Sequence, residues 1–306
     1  METAHLPTAQ RVPLLRSQTD SSAPLGRAGD WALLAPLGVG ELFGVYVARP
    51  AENDGTGSAS YAVKVLREPW RNDPTAIAIL RREAIVGSAV SHPNVVPILS
   101  SAFGDQLPYL VMPCLDGQSL ASLLGAGWRP ELPIALWIAR QIATGLAAIE
   151  SSCGMIHGDI KPSNVIVASN GHATLIDLGF ARTRDECRAA ADRPVLGTLR
   201  YAAPETLTSA LAADVRSDIY SLGTMLYEML AGNPPFAVGA PADLVCLQRE
   251  VKPVCIREHR PDVPRPITSL VHTMLSKAPL RRPQTLEETI DRIARLEIEW
   301  FADRAA

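Results

Sequence analysis

Residues His157-Gly158-Asp159-Ile160-Lys161-Pro162-Ser163-Asn164 gather groups able to do chemistry into one polar run of a 306-residue chain. The apolar run Val165-Ile166-Val167 follows, and beyond a turn at Gly171 comes Leu175-Ile176-Asp177-Leu178-Gly179. The pattern reads as a loop between a helix and a β-hairpin, carrying carboxylates at Asp159 and Asp177, a carboxamide at Asn164 and an ammonium at Lys161. A carboxylate and a carboxamide on loops at the ends of short strands suit Mg²⁺, a hard ion that takes oxygen ligands and shares them with substrate phosphates. A second carboxylate left off the metal can orient or deprotonate a hydroxyl nucleophile. Together the groups point to phosphoryl transfer.

The segment resembles the catalytic loop of protein kinases, His-Arg-Asp-x-Lys-Pro-x-x-Asn, with Gly158 where most members carry Arg. Asp177-Leu178-Gly179 resembles their metal-binding Asp-Phe-Gly motif. Lys161, two residues after Asp159, follows the pattern of serine/threonine kinases, here of the bacterial Hanks type. The resemblance implies that Asp159 orients the acceptor hydroxyl and takes its proton, that Lys161 steadies the γ-phosphate, and that Asn164 and Asp177 hold Mg²⁺. His157 and Leu178 are expected to pack rather than react.

The chain is long enough for one large domain or two lobes around a shared cleft. It is 47% hydrophobic and 20% charged, ordinary for a globular protein, and its formal charge of −3 gives no sign of nucleic-acid binding. Cys114, Cys153, Cys187, Cys246 and Cys255 form no Cys-x-x-Cys pair and read as reduced thiols of a cytoplasmic protein. The apolar stretch from Ala135 to Ile149 is interrupted by Arg140, Gln141 and Thr144, so it is expected not to span a membrane. No signal peptide is recognised at the N-terminus.

Residues 1–30 mix Ser, Thr, Pro, Ala and Arg without periodicity and read as a flexible tail with hydroxyls open to phosphorylation. Order is expected from Trp31. Alternating apolar residues flank the glycine turn in Leu37-Gly38-Val39-Gly40-Glu41-Leu42-Phe43-Gly44-Val45, a β-hairpin whose tip could bring backbone N–H groups to an anion. It resembles the kinase glycine-rich loop, with Phe43 at the third glycine position. Tyr61 to Leu66 reads as a strand with Lys64 inside an apolar run, similar to the kinase strand whose lysine meets the α- and β-phosphates. Pro74 to Val90 reads as a helix opened by Asp-Pro. Its Glu83 resembles the glutamate that braces that lysine, and Gly87 is expected to leave the helix locally loose. Pro108 to Gly117 resembles the last small-lobe strand and hinge, with Met112 as gatekeeper and the adenine bonded by Pro113 O and Leu115 N–H.

Leu132 to Cys153 has helical periodicity and is expected to be the central helix of a helical lobe. Gly197 to Glu205, with Thr198 and Ala203-Pro204-Glu205, resembles the substrate-docking loop. Asp218 matches the aspartate that receives backbone N–H groups of the catalytic loop, and Arg282 the arginine that pairs with Glu205. The resemblance runs from about residue 31 to 300. It implies an α+β, bilobal kinase fold: tail 1–30, small antiparallel β-sheet lobe 31–112 with one main helix, hinge 113–117, mainly helical large lobe 118–300, tail 301–306. It implies ATP and Mg²⁺ as ligands, a protein Ser or Thr as acceptor, and an ATP site built from Leu37, Gly38, Gly40, Val45, Ala62, Lys64, Met112, Pro113, Leu115 and Ile166. Two other readings stay open. A pseudokinase is opposed by the joint presence of Lys64, Glu83, Asp159, Asn164 and Asp177. A small-molecule kinase of the aminoglycoside or choline type shares His-Gly-Asp followed by Asn, but Lys161, the docking segment and the Glu205/Arg282 pair oppose it.

Gly158 removes the arginine that would receive a loop phosphate, and Thr183 is the sole hydroxyl residue between Gly179 and Gly197. Charges at Arg182, Arg184, Asp185, Glu186, Arg188, Asp192 and Arg193 are the alternative means of ordering that loop. Phosphatase-treated protein should therefore phosphorylate a generic acceptor at the rate of untreated protein. Activation that tracks phosphate on Thr183 would contradict this.

Overall fold

The computed structural model describes residues 24–52, 60–104, 107–189, 199–208, 213–236 and 241–305, which form two compact units. The smaller comprises residues up to Asp116 together with Asp177–Phe180, so the Asp-Leu-Gly turn belongs with the small unit and not with the large lobe expected to contain it.

The small unit is one antiparallel sheet in the order β1-β2-β3-β4-β6-β5 with helix α1. Its strands are β1 (Gly26–Ala28), β2 (Trp31–Val39), β3 (Phe43–Pro50), β4 (Tyr61–Leu66), β5 (Ser100–Ala102) and β6 (Tyr109–Pro113), and α1 runs Pro74–Ala89. Residues 26–28, expected in the tail, pair with Trp31–Leu33, so order begins before Trp31. Residues 1–23, with the tail hydroxyls, lie outside the described residues, as do 53–59 of the polar loop after β3. Strand alternation sorts the side chains. Tyr46, Ala48, Val63, Val65, Tyr109 and Val111 pack on one face with Leu33 and Trp31. Val45, Val47, Ala62, Lys64 and Met112 occupy register positions on the other.

Helix α1 starts where Asp73 Oδ1 accepts from Ala76 N at 2.7 Å and Pro74 supplies a preset φ. Gly87 on it is buried, its carbonyl accepts from Ile98 N at 3.0 Å, and a Cβ there would overlap Ile98 Cγ1. The glycine is thus a close-packing site and not a loose point, correcting the expectation from helix propensity.

The large unit carries β7 (Gln118–Ser119), α2 (Leu120–Gly125), α3 (Leu132–Cys153), β8 (Met155–Ile156), β9 (Val165–Val167), β10 (Ala173–Leu175) and β11 (Arg182–Thr183). The helices α4 (Arg184–Ala189), α5 (Pro204–Thr208), α6 (Val215–Ala231), α7 (Pro241–Glu250), α8 (Ile256–His259), α9 (Arg265–Met274) and α10 (Leu286–Ala305) complete it. Helix α3 packs on α10 and α6, and Gly154 at φ 62° closes its C-terminus. By length and composition α3 is the one helix among the described residues that could cross a membrane, contrary to the expectation that its polar residues exclude this. Its apolar window is 61% buried inside the unit. Its polar residues also have internal partners: Gln141 bridges Gly171 O and Ala173 N, each at 3.0 Å, and Arg140 pairs with Glu297 at 2.7 Å. α6 is buried almost throughout, and Gly223 lets it approach Met274 of α9.

Replacing Gly87 by Ala gains about 1 kcal/mol of helix propensity, but a rigid overlap in a filled core costs about 1–3 kcal/mol. Because the bonded Ile98 backbone cannot withdraw, the overlap should win. Gly87→Ala should lower the urea midpoint at unchanged slope; an increase would mean that Ile98 repacks freely.

Candidate active site

In the small unit Lys64 lies within a β4 that is buried except at its first residue, and its ammonium needs counter-charges close by. Glu83 Oε2 stands 2.6 Å from Lys64 Nζ and Asp177 Oδ1 stands 3.0 Å away. Burial alone would lower the Lys64 pKa; Asp177 and Glu83 outweigh it and hold the group above the ordinary lysine range. Burial pushes the Glu83 carboxyl upward, against the pull of Lys64. Asp177 itself adopts φ 65°, a conformation few non-glycine residues take, and Leu178–Phe180 continue as a 3₁₀ turn. Gly179 in that turn rests on Ile79 of α1, where a Cβ would come within 2.5 Å of Ile79 Cγ2.

The β3–β4 register puts Val45 opposite Lys64 and Val47 opposite Ala62, with Met112 pairing Ala62 from the other side. Val47 carries no motif position; the regular β3–β4 register places it on the face of Val45 and Lys64. Leu37 is exposed and Gly38 is paired with Val45. The Gly40 N–H, expected to face an anion, donates instead to Phe43 O at 2.9 Å. Arg67 pins this tip: its N–H donates to Leu42 O at 2.9 Å and its Nη1 to Gly40 O and Glu41 O at 3.0 and 3.2 Å. The Phe43 ring lies 4.5 Å from Lys64 Nζ. Pro113 ends β6 opposite Tyr61, and Leu115 follows, half-buried.

In the large unit the loop of residues 157–164 is held by α6. Asp218 on α6, 2% exposed, accepts from His157 N at 2.7 Å and Gly158 N at 2.9 Å. Gly158 has φ 75°, which glycine adopts freely and an arginine would adopt at a cost of about 1–2 kcal/mol. His157 is fully buried, and its Nδ1 accepts from Asp159 N at 3.3 Å. Lys161 Nζ at 2.7 Å and Asn164 Nδ2 at 2.9 Å both engage Asp159 Oδ2. Asp159 Oδ1 is left buried with no hydrogen-bond partner. An unpaired buried carboxylate oxygen is costly, so this atom is an acceptor awaiting a donor. Asn164 Nδ2 also donates to Asp159 O at 2.9 Å, which commits the amide nitrogen, while its Oδ1 accepts from Ser163 Oγ at 3.4 Å. Asn164 in the large unit and Asp177 in the small unit each carry side-chain oxygen, the donor type that a hard cation takes. Ile166 pairs with Thr174 and Ser119 in the small sheet β10-β9-β7.

After Ala181 the described residues are ordered by backbone pairing and a helix cap. β11 pairs with β8, and Thr183 caps α4 reciprocally: its N–H meets Glu186 Oε2 at 2.9 Å and its Oγ1 accepts from Glu186 N at 3.2 Å. Cys187 packs with Ile156 and Ala213. Thr183 is therefore a structural cap. Thr198, expected in the docking segment, lies outside the described residues, as do Asp192, Arg193 and the Arg188 side chain. Glu205 is described and meets Arg282 through two bonds of 2.6 and 2.8 Å, with Ser217 Oγ donating at 2.8 Å. Two neighbours of this segment carry no motif: Gln248 Nε2 donates to Leu199 O at 2.5 Å, and Tyr201 OH donates to Glu228 Oε2 at 2.7 Å.

Residues 31–292 match the protein kinase domain family, spanning both halves of this constellation. The chain belongs to the protein kinase family. Serine/threonine-protein kinase PrkC of Bacillus subtilis is 29% identical over 277 residues, covering 90% of this chain and 41% of PrkC. Serine/threonine-protein kinase pkn2 of Myxococcus xanthus is 34% identical over 274 residues, 87% of this chain and 32% of that protein. Serine/threonine-protein kinase PknB of Mycolicibacterium smegmatis is 33% identical over 261 residues, 82% of this chain and 40% of PknB. The kinase chain thus spans about two fifths or less of the length of these relatives.

Removing one partner of a buried ion pair strands the other charge at a cost of about 3–5 kcal/mol. Arg282→Ala should therefore destabilise this kinase domain by that order in chemical denaturation. A loss under about 1 kcal/mol would show that the Glu205 site fills with water.

Proposed function

We propose that this kinase domain transfers the γ-phosphoryl group of ATP to serine or threonine hydroxyls of proteins. The observation that carries the reading is Asp159: one carboxylate oxygen is fixed by Lys161 and Asn164, and the other is buried without a partner. Fixing Oδ2 sets the direction in which Oδ1 meets a hydroxyl, orienting it as nucleophile and accepting its proton. Lys161, already within 2.7 Å of Asp159, brings a positive charge to the place where phosphoryl oxygens gain charge. Lys64, braced by Glu83, would hold nucleotide phosphates in the small unit. Asp177 and Asn164 would hold Mg²⁺, which when bound neutralises charge on phosphate oxygens. Most of the acceleration would then come from positioning and charge stabilisation.

The acceptor class rests on Lys161 after Asp159 and on the relatives being serine/threonine-protein kinases. None of the five cysteines is in a disulfide, which supports a reducing, cytoplasmic setting for this domain.

Incubation with labelled ATP and Mg²⁺ should label a generic Ser/Thr acceptor, and Asp159→Ala should abolish labelling while nucleotide binding persists. Binding without transfer by the wild type would instead favour a pseudokinase. Asp177→Asn should remove the Mg²⁺-dependent part of the ATP thermal shift. A magnesium effect that survives would place the metal elsewhere.

A further inference from the structure

An ammonium has three N–H donors, and the surroundings of Lys64 Nζ supply three partners. Glu83 Oε2 lies at 2.6 Å, Asp177 Oδ1 at 3.0 Å, and the Phe43 ring at 4.5 Å to its centroid. The lysine side chain is only 6% exposed, so these three partners cover most of its surroundings. Any phosphate that bonds Lys64 has to displace a partner. Glu83, 2% exposed on α1, is the shortest contact and belongs to a packed helix. Asp177 makes a 3.0 Å ion-pair contact through Oδ1. Phe43 is neutral, half-buried and at the first position of β3, beside the hairpin tip, so it is the partner most easily moved.

A second observation shows what keeps the ring there. Arg67 holds the carbonyls of Gly40, Glu41 and Leu42, and Gly40 N–H is turned inward on Phe43 O. The tip is closed on itself, with its leading N–H group spent internally. We propose that Phe43, latched by Arg67, is a gate on the phosphate side of Lys64, so that phosphate-bearing nucleotides bind by displacing the ring whereas the nucleoside alone does not. The inference rests on the nucleotide-binding reading above and concerns a positioning residue, since Phe43 acts through Lys64. Opening the gate exchanges an aromatic face for phosphate oxygens on the same ammonium, and release of the Arg67 latch frees the Gly40 N–H.

The test is the ratio of adenosine to ADP dissociation constants, measured by calorimetry on the full chain without divalent metal, so that Asp177 is not engaged by an ion. Phe43→Leu keeps apolar bulk and removes the π-face; ADP should bind about three- to tenfold tighter with adenosine unchanged, raising the ratio. Phe43→Trp, with the stronger cation–π face, should lower it. Arg67→Ala leaves the ring in place and should raise the ratio through the latch, which a purely apolar packing role for Phe43 would not do. A ratio that is unchanged or lower in folded Phe43→Leu overturns the gate while leaving the nucleotide reading intact. A wild type that binds neither adenosine nor ADP overturns both.

Discussion

The small unit is organised by one buried ammonium. Lys64 sits inside a hydrophobic sheet, and removing a charge from water is tolerated only where opposite charge is held close by. Two separate elements supply it, Glu83 from α1, 19 residues after the lysine, and Asp177 from a turn 113 residues after it. The consequences spread outward. Helix α1 must carry Glu83 to the lysine; the cap at Asp73 starts it, and the bare Gly87 lets the segment at Ile98 pack against it. The Asp-Leu-Gly turn must fold with the small unit, which the φ of Asp177 and the bare Gly179 against Ile79 permit. Even the hairpin tip is drawn in, with an aromatic face filling the remaining side of the ammonium.

The large unit solves a related problem with carboxylates. Asp218 gathers the N–H groups of His157 and Gly158, and Glu205 gathers Arg282 and Ser217. Each is a buried charge with its hydrogen bonds filled, and each fixes a loop that has little apolar surface of its own. Asp159 departs from this pattern, with one oxygen saturated and the other bare. Glu297 Oε1 and His157 Nε2 are likewise buried without a partner, so what sets Asp159 Oδ1 apart is its place beside Lys161 and Asn164, on which the proposed function rests.

Glycine plays opposite parts in the two units. At Gly158 the backbone needs a left-handed φ and the absent side chain spares strain. At Gly87 the helix is regular and the absent side chain makes room for Ile98. Propensity scales describe neither role, since both depend on what approaches the residue from elsewhere in the fold.

The sequence by itself determined the membership of the chemistry. Lys64, Glu83, Asp159, Lys161, Asn164, Asp177, Asp218, Glu205 and Arg282 were legible because their order and local sequence resemble protein-kinase motifs. It also marked the long apolar α3 and the β2–β3 hairpin by periodicity. Only the tertiary structure decided which atom of Asp159 stays unpaired, that Thr183 is committed to a helix cap, that Val47 faces Ala62, that residues 26–28 add an edge strand, and that Phe43 covers Lys64. The physical reason is the same in each case. Register, bulges and side-chain partners are set by contacts between segments far apart in the chain, and a reading of neighbouring residues carries no measure of those distances.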